Sequence, residues 1–352
     1  MAFRIALSIT LLVLLTSAIF VPASLSQQAP LQKISINYPA RSGGSWPMFL
    51  AKEGGYYQKY GLDVTLAFGA GNVGVAMITS GDAVMTNSSM EQALQASSRD
   101  PGALVSMGSF LNKGAFSMMA AKTVGSVKDL KGKRVAVAQV GDAVYNYTIA
   151  LLSKSGLKAR DIVWIPVGND ATARAVALQS GRADAALLTA PSYFRMEEAG
   201  FKNLGSLADH KDIYASSVYL FTKKTVAGNP RLPEMILRAQ TEAIKRFYED
   251  KAFAVKAYMA YDKQEQKDVE RIYELYAKNQ AFERVPYVLA NAVKSVVAQA
   301  DAEQATQMRA IDFKAVIDNR VVDRLVKEGF FEKLFGPTIK SEQENRSRQA
   351  MR

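Results

Sequence analysis

Cysteine is absent from the 352-residue chain, and histidine occurs only once, as His210. Without cysteine the protein can form no disulfide, no thiolate metal site and no cysteine nucleophile. A single histidine also disfavours a histidine-based metal centre or a serine–histidine catalytic pair. No carboxylate cluster has the spacing of a calcium loop. We therefore expect no metal, no cofactor and no enzymatic activity.

Long runs of like charge are also missing, although the formal net charge is +11. Lysine and arginine are interspersed with acidic residues, which is typical of a generally basic exterior. No recognisable nucleic-acid-binding module is present. We expect no nucleic-acid partner, and we expect His210, in the polar segment "ADHKD", to lie in an exposed loop.

The first 26 residues are the one markedly apolar segment. Arg4 precedes an apolar stretch from Ile5 to Val21, and small residues follow before Gln27. This order is typical of a secretory signal peptide, with an uncleaved membrane anchor as the alternative. The sequence predicts export to a bacterial periplasm and removal of residues 1–26.

Strand-like and helix-like segments alternate from Lys33 onward, and the same order occurs twice. The strand segments read "KISINY", "DVTLAF" and "DAVMTN" in the first half and "KRVAVAQ", "IVWIPV" and "ADAALLTAP" in the second. Helical segments end at Gly61 and Gly81, and correspondingly at Gly156 and Gly181, where glycine permits a positive φ. Strands that alternate with helices predict parallel sheets. We therefore expect an α/β fold with two similar lobes.

Short β-like runs separate the two halves, and a helical pattern fills the chain from Leu232 to Phe335. We interpret the short runs as crossings between the lobes. The predicted plan is a signal peptide (1–26), a discontinuous first lobe (31–120 and 216–338), a second lobe (121–215) and a flexible polar tail (339–352).

The loop "NYPARSGGSWP" follows the first strand, where open α/β sheets bind their ligands. Ser45 is a candidate helix cap, and the free N–H groups of a helix start favour an anion or another polar acceptor. Trp46 offers a face on which a ligand could stack, and inter-lobe packing is its alternative. Arg41 is interpreted either as a fork-shaped donor to an anionic group or as a solvated loop residue.

Several phrases resemble the extracytoplasmic solute-binding proteins of ABC importers, in the nitrate/sulfonate/taurine branch related to NMT1/THI5-like proteins. They include "MFLAKEGGYYQKYGLDVTLAFGAG", "VKDLKGKRVAVAQVGDAVYNYTIALLSKSGL" and "ALQSGRADAALLTAP". The resemblance implies a type II periplasmic-binding fold whose first lobe carries a C-terminal helical extension. It also implies a monomer that captures a small polar or anionic organic molecule and delivers it to an ABC permease and its ATPase.

Positions that match the family's binding loops are the candidate ligand-binding residues. They are Tyr38, Arg41, Ser45, Trp46, Thr86, Asn87, Ser88, Asp142, Tyr145, Asn146 and Thr189. Asp142 departs from the family pattern, because small hydroxylated residues often stand in this loop. It is either a helix cap or an acceptor for a ligand donor, and the second reading disfavours nitrate and simple sulfonates. The neighbouring aromatic residues suggest a ligand with an apolar or ring portion.

Three alternatives stay open at this point. A periplasmic sensing subunit would share the fold and the binding step, and a pyrimidine-precursor synthase-like enzyme would share the family. The segment "GAGNVG", with Gly69, Gly71 and Gly74, fits a dinucleotide-binding pattern. It follows the second strand rather than the first, so we interpret it as scaffold.

Overall fold

The computed structural model describes residues 30–69, 72–112, 115–168, 171–207, 217–300 and 302–352. The predicted signal peptide, Gly71 and His210 lie outside these residues. The described strands are β1 (Gln32–Tyr38), β2 (Leu62–Phe68), β3 (Met85–Ser88), β4 (Leu104–Leu111), β5 (Phe116–Ala120), β6 (Arg134–Val137), β7 (Val163–Pro166), β8 (Ala185–Thr189), β9 (Lys202–Ser206) and β10 (Ser217–Thr222).

The strands form two five-stranded sheets with equivalent connectivity. The first has the order β2-β1-β3-β10-β4 and the second the order β7-β6-β8-β5-β9. In each sheet the first three strands are parallel, and the fourth runs antiparallel to its neighbours. That antiparallel strand comes from the other half of the chain, so the chain crosses between the sheets twice. The prediction of a two-lobed α/β fold is confirmed.

The paired glycines of the sequence repeat end helices as expected. Gly61 and Gly156 have φ values of 82° and 81°, and Gly81 and Gly181 have φ values of 91° and 71°. These conformations are costly for residues with a Cβ. The repeat in the sequence is therefore a repeat in backbone geometry.

Helices surround both sheets. They are α1 (Trp46–Glu53), α2 (Tyr56–Lys59), α3 (Asn72–Ser80), α4 (Met90–Arg99), α5 (Ala143–Lys154), α6 (Ala171–Gln179), α7 (Ser192–Glu198), α8 (Lys223–Gly228), α9 (Leu232–Glu249), α10 (Lys251–Met259), α11 (Gln266–Lys278), α12 (Ala290–Gln299), α13 (Ala302–Arg309), α14 (Phe313–Val316), α15 (Arg320–Lys327), α16 (Phe330–Phe335) and α17 (Ile339–Gln349). Short 3-10 turns occur at Gly43–Ser45, Val127–Leu130 and Ala159–Asp161.

The C-terminal helices pack on the first sheet and its helices. Helices α9 and α10 contact α1, and α14 and α15 contact β4. Ile236, Leu237 and Ile244 of α9 are fully buried in this layer. Because α9 is apolar on one face only, it covers α1 while its charged face stays in solvent.

Two parts of the domain plan differ from the structure. Strand β5 belongs to the second sheet, so the first lobe ends before residue 116 rather than at residue 120. The segment 339–352, predicted to be a flexible tail, contains α17 and is anchored at its end. Ile339 is buried, and the Met351 N–H donates to the Val288 carbonyl at 2.8 Å. Strand β9 was not predicted.

Within the described ranges, no helix combines the length and apolarity that crossing a bilayer requires.

Candidate functional site

A cavity of about 190 Å³ lies between the two sheets. It is lined by the segments that follow β1 and β3 in the first lobe and β6 and β8 in the second. These are the carboxyl ends of parallel strands, where open α/β sheets bind ligands. The repeated architecture thus brings equivalent strand ends of the two lobes to opposite walls of one cavity.

The loop after β1 forms part of the first-lobe wall. Ser45 lines the cavity, and its Oγ donates to the Ala40 carbonyl at 2.6 Å. A Cβ atom on Gly43 would overlap the ring of Tyr276, which also lines the cavity. Glycine at this position therefore allows α11 to present a phenol ring to the site.

The end of β3 supplies three neighbouring polar residues with different environments. The Thr86 hydroxyl donates to Asn37 Oδ1 at 2.7 Å, away from the cavity lining. Asn87 and Ser88 line the cavity, and the Ser88 hydroxyl donates to Gln92 Oε1 at 2.9 Å. Asn87 is 2% exposed, and neither of its amide atoms has a hydrogen-bond partner among the residues that the structure describes.

The glycine-rich segment after β2 supports the same region. A Cβ on Gly74 would overlap Asn37 Oδ1 and Thr86 Oγ1, and one on Gly69 would lie 2.8 Å from Asn37 Nδ2. These two glycines therefore allow α3 and its loop to approach the Asn37–Thr86 hydrogen bond. This packing role matches the scaffold interpretation of "GAGNVG".

Asp142 lines the second-lobe wall and caps α5. Its Oδ1 accepts from the Tyr145 N–H at 2.8 Å. Burial raises the pKa of the Asp142 carboxyl, while the Tyr145 N–H and the charge of Arg174 act in the opposite direction. Capping and cavity lining therefore coexist in this residue.

Thr189 and two aromatic residues complete the second-lobe wall. Thr189 ends β8 and pairs in register with Phe116 at the start of β5. The rings of Phe116 and Tyr147 have centroids 5.1 Å apart, and both line the cavity. The site therefore has an apolar surface as well as hydroxyl and carboxylate groups.

Trp46 does not line the cavity, contrary to the predicted stacking role. Its side chain has no exposed surface, and its Nε1 donates to the Ala254 carbonyl at 2.8 Å. Its ring centroid lies 4.8 Å from that of Tyr258 and 5.0 Å from that of Phe247. Packing of α1 against the C-terminal helices therefore turns the indole into the first-lobe core.

Tyr38 and Arg41 are also outside the cavity lining. Tyr38 is buried, with its ring centroid 5.3 Å from that of Phe49. The Arg41 guanidinium is exposed and lies 4.4 Å from the ring centroid of Phe68. This exposed cation–π contact fits the interpretation of Arg41 as a solvated loop residue, and its contact with an anionic ligand stays a prediction.

Tyr145 and Asn146 follow Asp142 on α5 but lie outside the cavity lining. The ring centroids of Tyr145 and Trp164 are 4.5 Å apart, within the second lobe. Asn146 Nδ2 donates to the carboxylate of Glu91 and, at 3.3 Å, to Gln304 Oε1. Asn146 therefore joins the two lobes.

Polar contacts link the lobes on two sides of the cavity. On one side the Gly141 carbonyl accepts from Gln95 Nε2 at 3.0 Å and from Gln304 Nε2 at 2.9 Å. We call the contacts that Gly141 and Asn146 make with Glu91, Gln95 and Gln304 the α5 latch. On the other side, Arg195 of α7 pairs with Asp268 of α11 at 2.9 Å. The structure therefore shows the lobes in contact around the cavity.

Some lining residues were not predicted from the sequence. Phe116, Gln92, Leu111, Ser217 and Tyr276 come from five different parts of the chain. Gln92 could have been found, because it lies on the first turn of the helix that follows Asn87. Tyr276 lies in an ordinary helical pattern, and no local signal marks it.

The described residues contain no group of three histidine, aspartate or glutamate side chains able to hold a metal ion.

The family model NMT1/THI5 like matches residues 44–254. The chain therefore belongs to the NMT1/THI5-like family, as its sequence motifs predicted. A search of curated proteins gives no match.

Solved structures share the fold at low identity. The alkanesulfonate-binding protein SsuA from Xanthomonas axonopodis pv. citri, bound to MOPS, has a TM-score of 0.68 and 21% identity, and the match covers 82% of this chain and 100% of that one. A Candida albicans protein described as having the generic periplasmic binding protein fold has a TM-score of 0.62 and 13% identity, covering 84% and 95%. The desulfurization enzyme DSZB has a TM-score of 0.59 and 15% identity, covering 84% and 99%. The predicted periplasmic-binding-protein fold is confirmed.

Proposed function

We propose that the protein is an exported receptor that captures a small organic solute between its two lobes and delivers it to an ABC importer. The single observation that carries this proposal is the 190 Å³ cavity, lined by polar side chains from both lobes. The cleft is of a kind that binds small ligands, and lobe closure by hinge motion would enclose the solute. Export through the segment 1–26, a periplasmic location and monomeric action form part of the proposal.

The residues that we propose to contact the solute are those that line the cavity among the predicted set. They are Ser45, Asn87, Ser88, Asp142 and Thr189. A sensing role would use the same binding step and differs only in the membrane partner.

An enzyme is the second candidate because DSZB shares the fold. This chain has no cysteine to act as a nucleophile, and its one histidine lies outside the described residues. The lining residues that the structure describes contain one carboxylate together with hydroxyl, amide and aromatic groups. Such a set favours binding over covalent catalysis.

The test is a thermal-shift screen of the purified protein against sulfonates, nitrate, carboxylates, pyrimidines and aromatic acids. A solute that binds only the folded state raises the melting temperature. Ala143→Phe, at the first residue of α5, places a ring in the cavity and should abolish that rise.

The matched control is Ala171→Phe, at the first residue of α6, which is equally half-buried and lies outside the cavity lining. It should retain the rise. A rise that survives Ala143→Phe would place binding elsewhere and contradict the proposal.

A further inference from the structure

Tyr276 of α11 combines deep burial with a hydroxyl that lacks a protein partner. Its side chain is 6% exposed and lines the cavity. In the described part of the chain no group forms a hydrogen bond with its Oη, and Oη is not one of the unpartnered side-chain atoms that are fully enclosed. The oxygen therefore keeps some accessible surface. A nearly buried hydroxyl without a partner is costly, and native proteins satisfy most such groups.

The hydroxyl end of the Tyr276 ring reaches the wall of the cavity. A Cβ atom on Gly43 would lie 2.8 Å from Tyr276 Oη, which places this oxygen against the loop after β1. Ser42 and Gly44, on either side of Gly43 in the chain, both line the cavity. The accessible surface of Oη therefore opens into the space between the two lobes.

Packing holds the Tyr276 ring in this position. Its centroid lies 5.4 Å from that of Phe282 and 6.1 Å from that of Trp46, and both of these rings are buried. The backbone of Gly43 limits movement of the ring on a third side. A side chain that is fixed before binding loses little conformational freedom when a ligand arrives. The hydroxyl is thus a preorganised contact point.

The Tyr276 hydroxyl has the chemistry of a neutral donor. Burial raises the pKa of the Tyr276 phenol, and the neighbouring Tyr193 phenol acts in the same direction. The group therefore keeps its proton at neutral pH. A neutral phenol carries one O–H donor, which can bond an acceptor atom of a molecule in the cavity.

Resting on the receptor function proposed above, we infer that Tyr276 is a solute-binding residue and that its hydroxyl donates a hydrogen bond to an acceptor atom of the solute. The residue lies on α11, beyond residues 44–254 that the family model matches. The C-terminal helices thus contribute to the site as well as covering the first sheet. A molecule without an acceptor at this point leaves the buried donor unpaired and binds less tightly.

The test compares Tyr276→Phe with the control Tyr273→Phe. Tyr273 lies almost one turn earlier on α11, is 7% exposed, and has its ring centroid at the same 6.1 Å from that of Trp46, but it does not line the cavity. Each change deletes one hydroxyl and keeps the ring.

The first readout of Tyr276→Phe is the melting temperature of the ligand-free protein. It should equal or exceed that of the wild type, because no hydrogen bond within the protein is lost. A lower melting temperature would show that a protein group already satisfies the hydroxyl, and it would overturn the inference.

The second readout is binding of nitrate, methanesulfonate, benzoate and uracil, which all carry acceptor oxygens, together with the other compounds of the screen. For each compound that stabilises the wild type, calorimetry should give a dissociation constant about tenfold or more higher in Tyr276→Phe and unchanged in Tyr273→Phe. Wild-type affinity in Tyr276→Phe would overturn the inference and leave the receptor function standing. If no compound stabilises the wild type, the receptor function is contradicted and this inference falls with it.

Discussion

Two adjacent residues, Ser45 and Trp46, have opposite environments. Ser45 lines the cavity, whereas Trp46 is completely buried in the first-lobe core. The direction of the indole is set by Phe247, Tyr258 and the Ala254 carbonyl, about 200 residues later in the chain. The position of the loop at the cavity was predictable, because it follows a parallel strand. The orientation of its largest side chain was not, because residues far away in the chain determine it.

Replacing Trp46 should therefore affect stability and leave binding intact. Trp46→Ala should lower the free energy of unfolding by about 3–5 kcal/mol, as expected for a large buried side chain. Trp46→Phe should lower the free energy of unfolding by less. The folded variant should bind its ligand with unchanged affinity, measured by calorimetry. A weakened ligand affinity in Trp46→Phe at normal stability would contradict this assignment.

The control for that substitution is Trp164→Phe. Trp164 also donates its indole N–H to a backbone carbonyl, that of Ala159 at 3.0 Å, but it is only half-buried. Trp164→Phe should lower the free energy of unfolding by less than Trp46→Phe does.

The raised pKa of Asp142 makes a pH-dependent prediction. Burial raises the pKa of this carboxyl in the folded state, so the ionised form is disfavoured relative to the unfolded chain. Its destabilising effect is present above the folded-state pKa and disappears as the pH falls below the unfolded-state value. Asp142→Asn removes the charge and keeps a cap acceptor.

We therefore expect Asp142→Asn to be more stable than the wild type at neutral pH, with a difference that shrinks towards acid pH. Urea unfolding of both proteins across that range measures the difference. A difference that grows on acidification would contradict the expected direction of the effect.

At the scale of elements, α5 connects the cavity lining to the contact between the lobes. Its cap, Asp142, lines the cavity, and Asn146, one turn further on, donates to Glu91 and Gln304 of the first lobe. Glu91 and Asn146 have no exposed surface. The α5 latch thus adds hydrogen bonds that exist only while the lobes are in contact.

Breaking the α5 latch should weaken binding without removing a ligand contact. Each lost hydrogen bond is worth about 0.5–1.5 kcal/mol, so Gln304→Ala should raise the dissociation constant about two- to tenfold, mainly through faster release. Small-angle scattering of the ligand-free variant should show a larger radius of gyration.

Asn203→Ala is the matched control, because Asn203 donates to Glu197 at 2.7 Å within the second lobe and on its surface. Asn203→Ala should change neither the affinity for the ligand nor the radius of gyration of the ligand-free protein. If Gln304→Ala and Asn203→Ala have the same dissociation constant and radius of gyration, the α5 latch does not control closure of the two lobes.

Elements with strong local signals were predictable, and elements held by distant partners were not. The parallel strands have β-branched and apolar runs, and four of them follow helices that end at a glycine with positive φ. Strand β9 reads "KNLGS" and exists because it pairs with β5. Helix α17 is polar in sequence, yet Arg346 pairs with Glu283 at 2.8 Å and Ile339 is buried. Its stability comes from the first lobe rather than from its own composition.

At the scale of the whole molecule, the internal repeat predicted the fold because each half contains the same strands and stops. The predicted site residues fall into two groups, those that line the cavity and those that do not. Ser45, Asn87, Ser88, Asp142 and Thr189 line one cavity, because strand ends follow from topology alone. The remaining candidates were chosen because they match the family's binding loops. Contacts within a lobe hold Tyr38, Thr86 and Tyr145 outside the lining, and a contact between the lobes holds Asn146.

The chain has two tryptophans, and the fold places one in each lobe. Trp46 is completely buried in the first lobe. Trp164 lies on β7, and its ring contacts that of Tyr145. Tyr145 is three residues after Asp142 in the chain and lies on the first turn of α5. The protein thus carries one tryptophan fluorophore per lobe. Emission from Trp46 reports the integrity of the first-lobe core, whereas emission from Trp164 reports events at the start of α5. A Trp46→Phe protein has a single tryptophan, so emission excited selectively from tryptophan reports on the second lobe without an added dye.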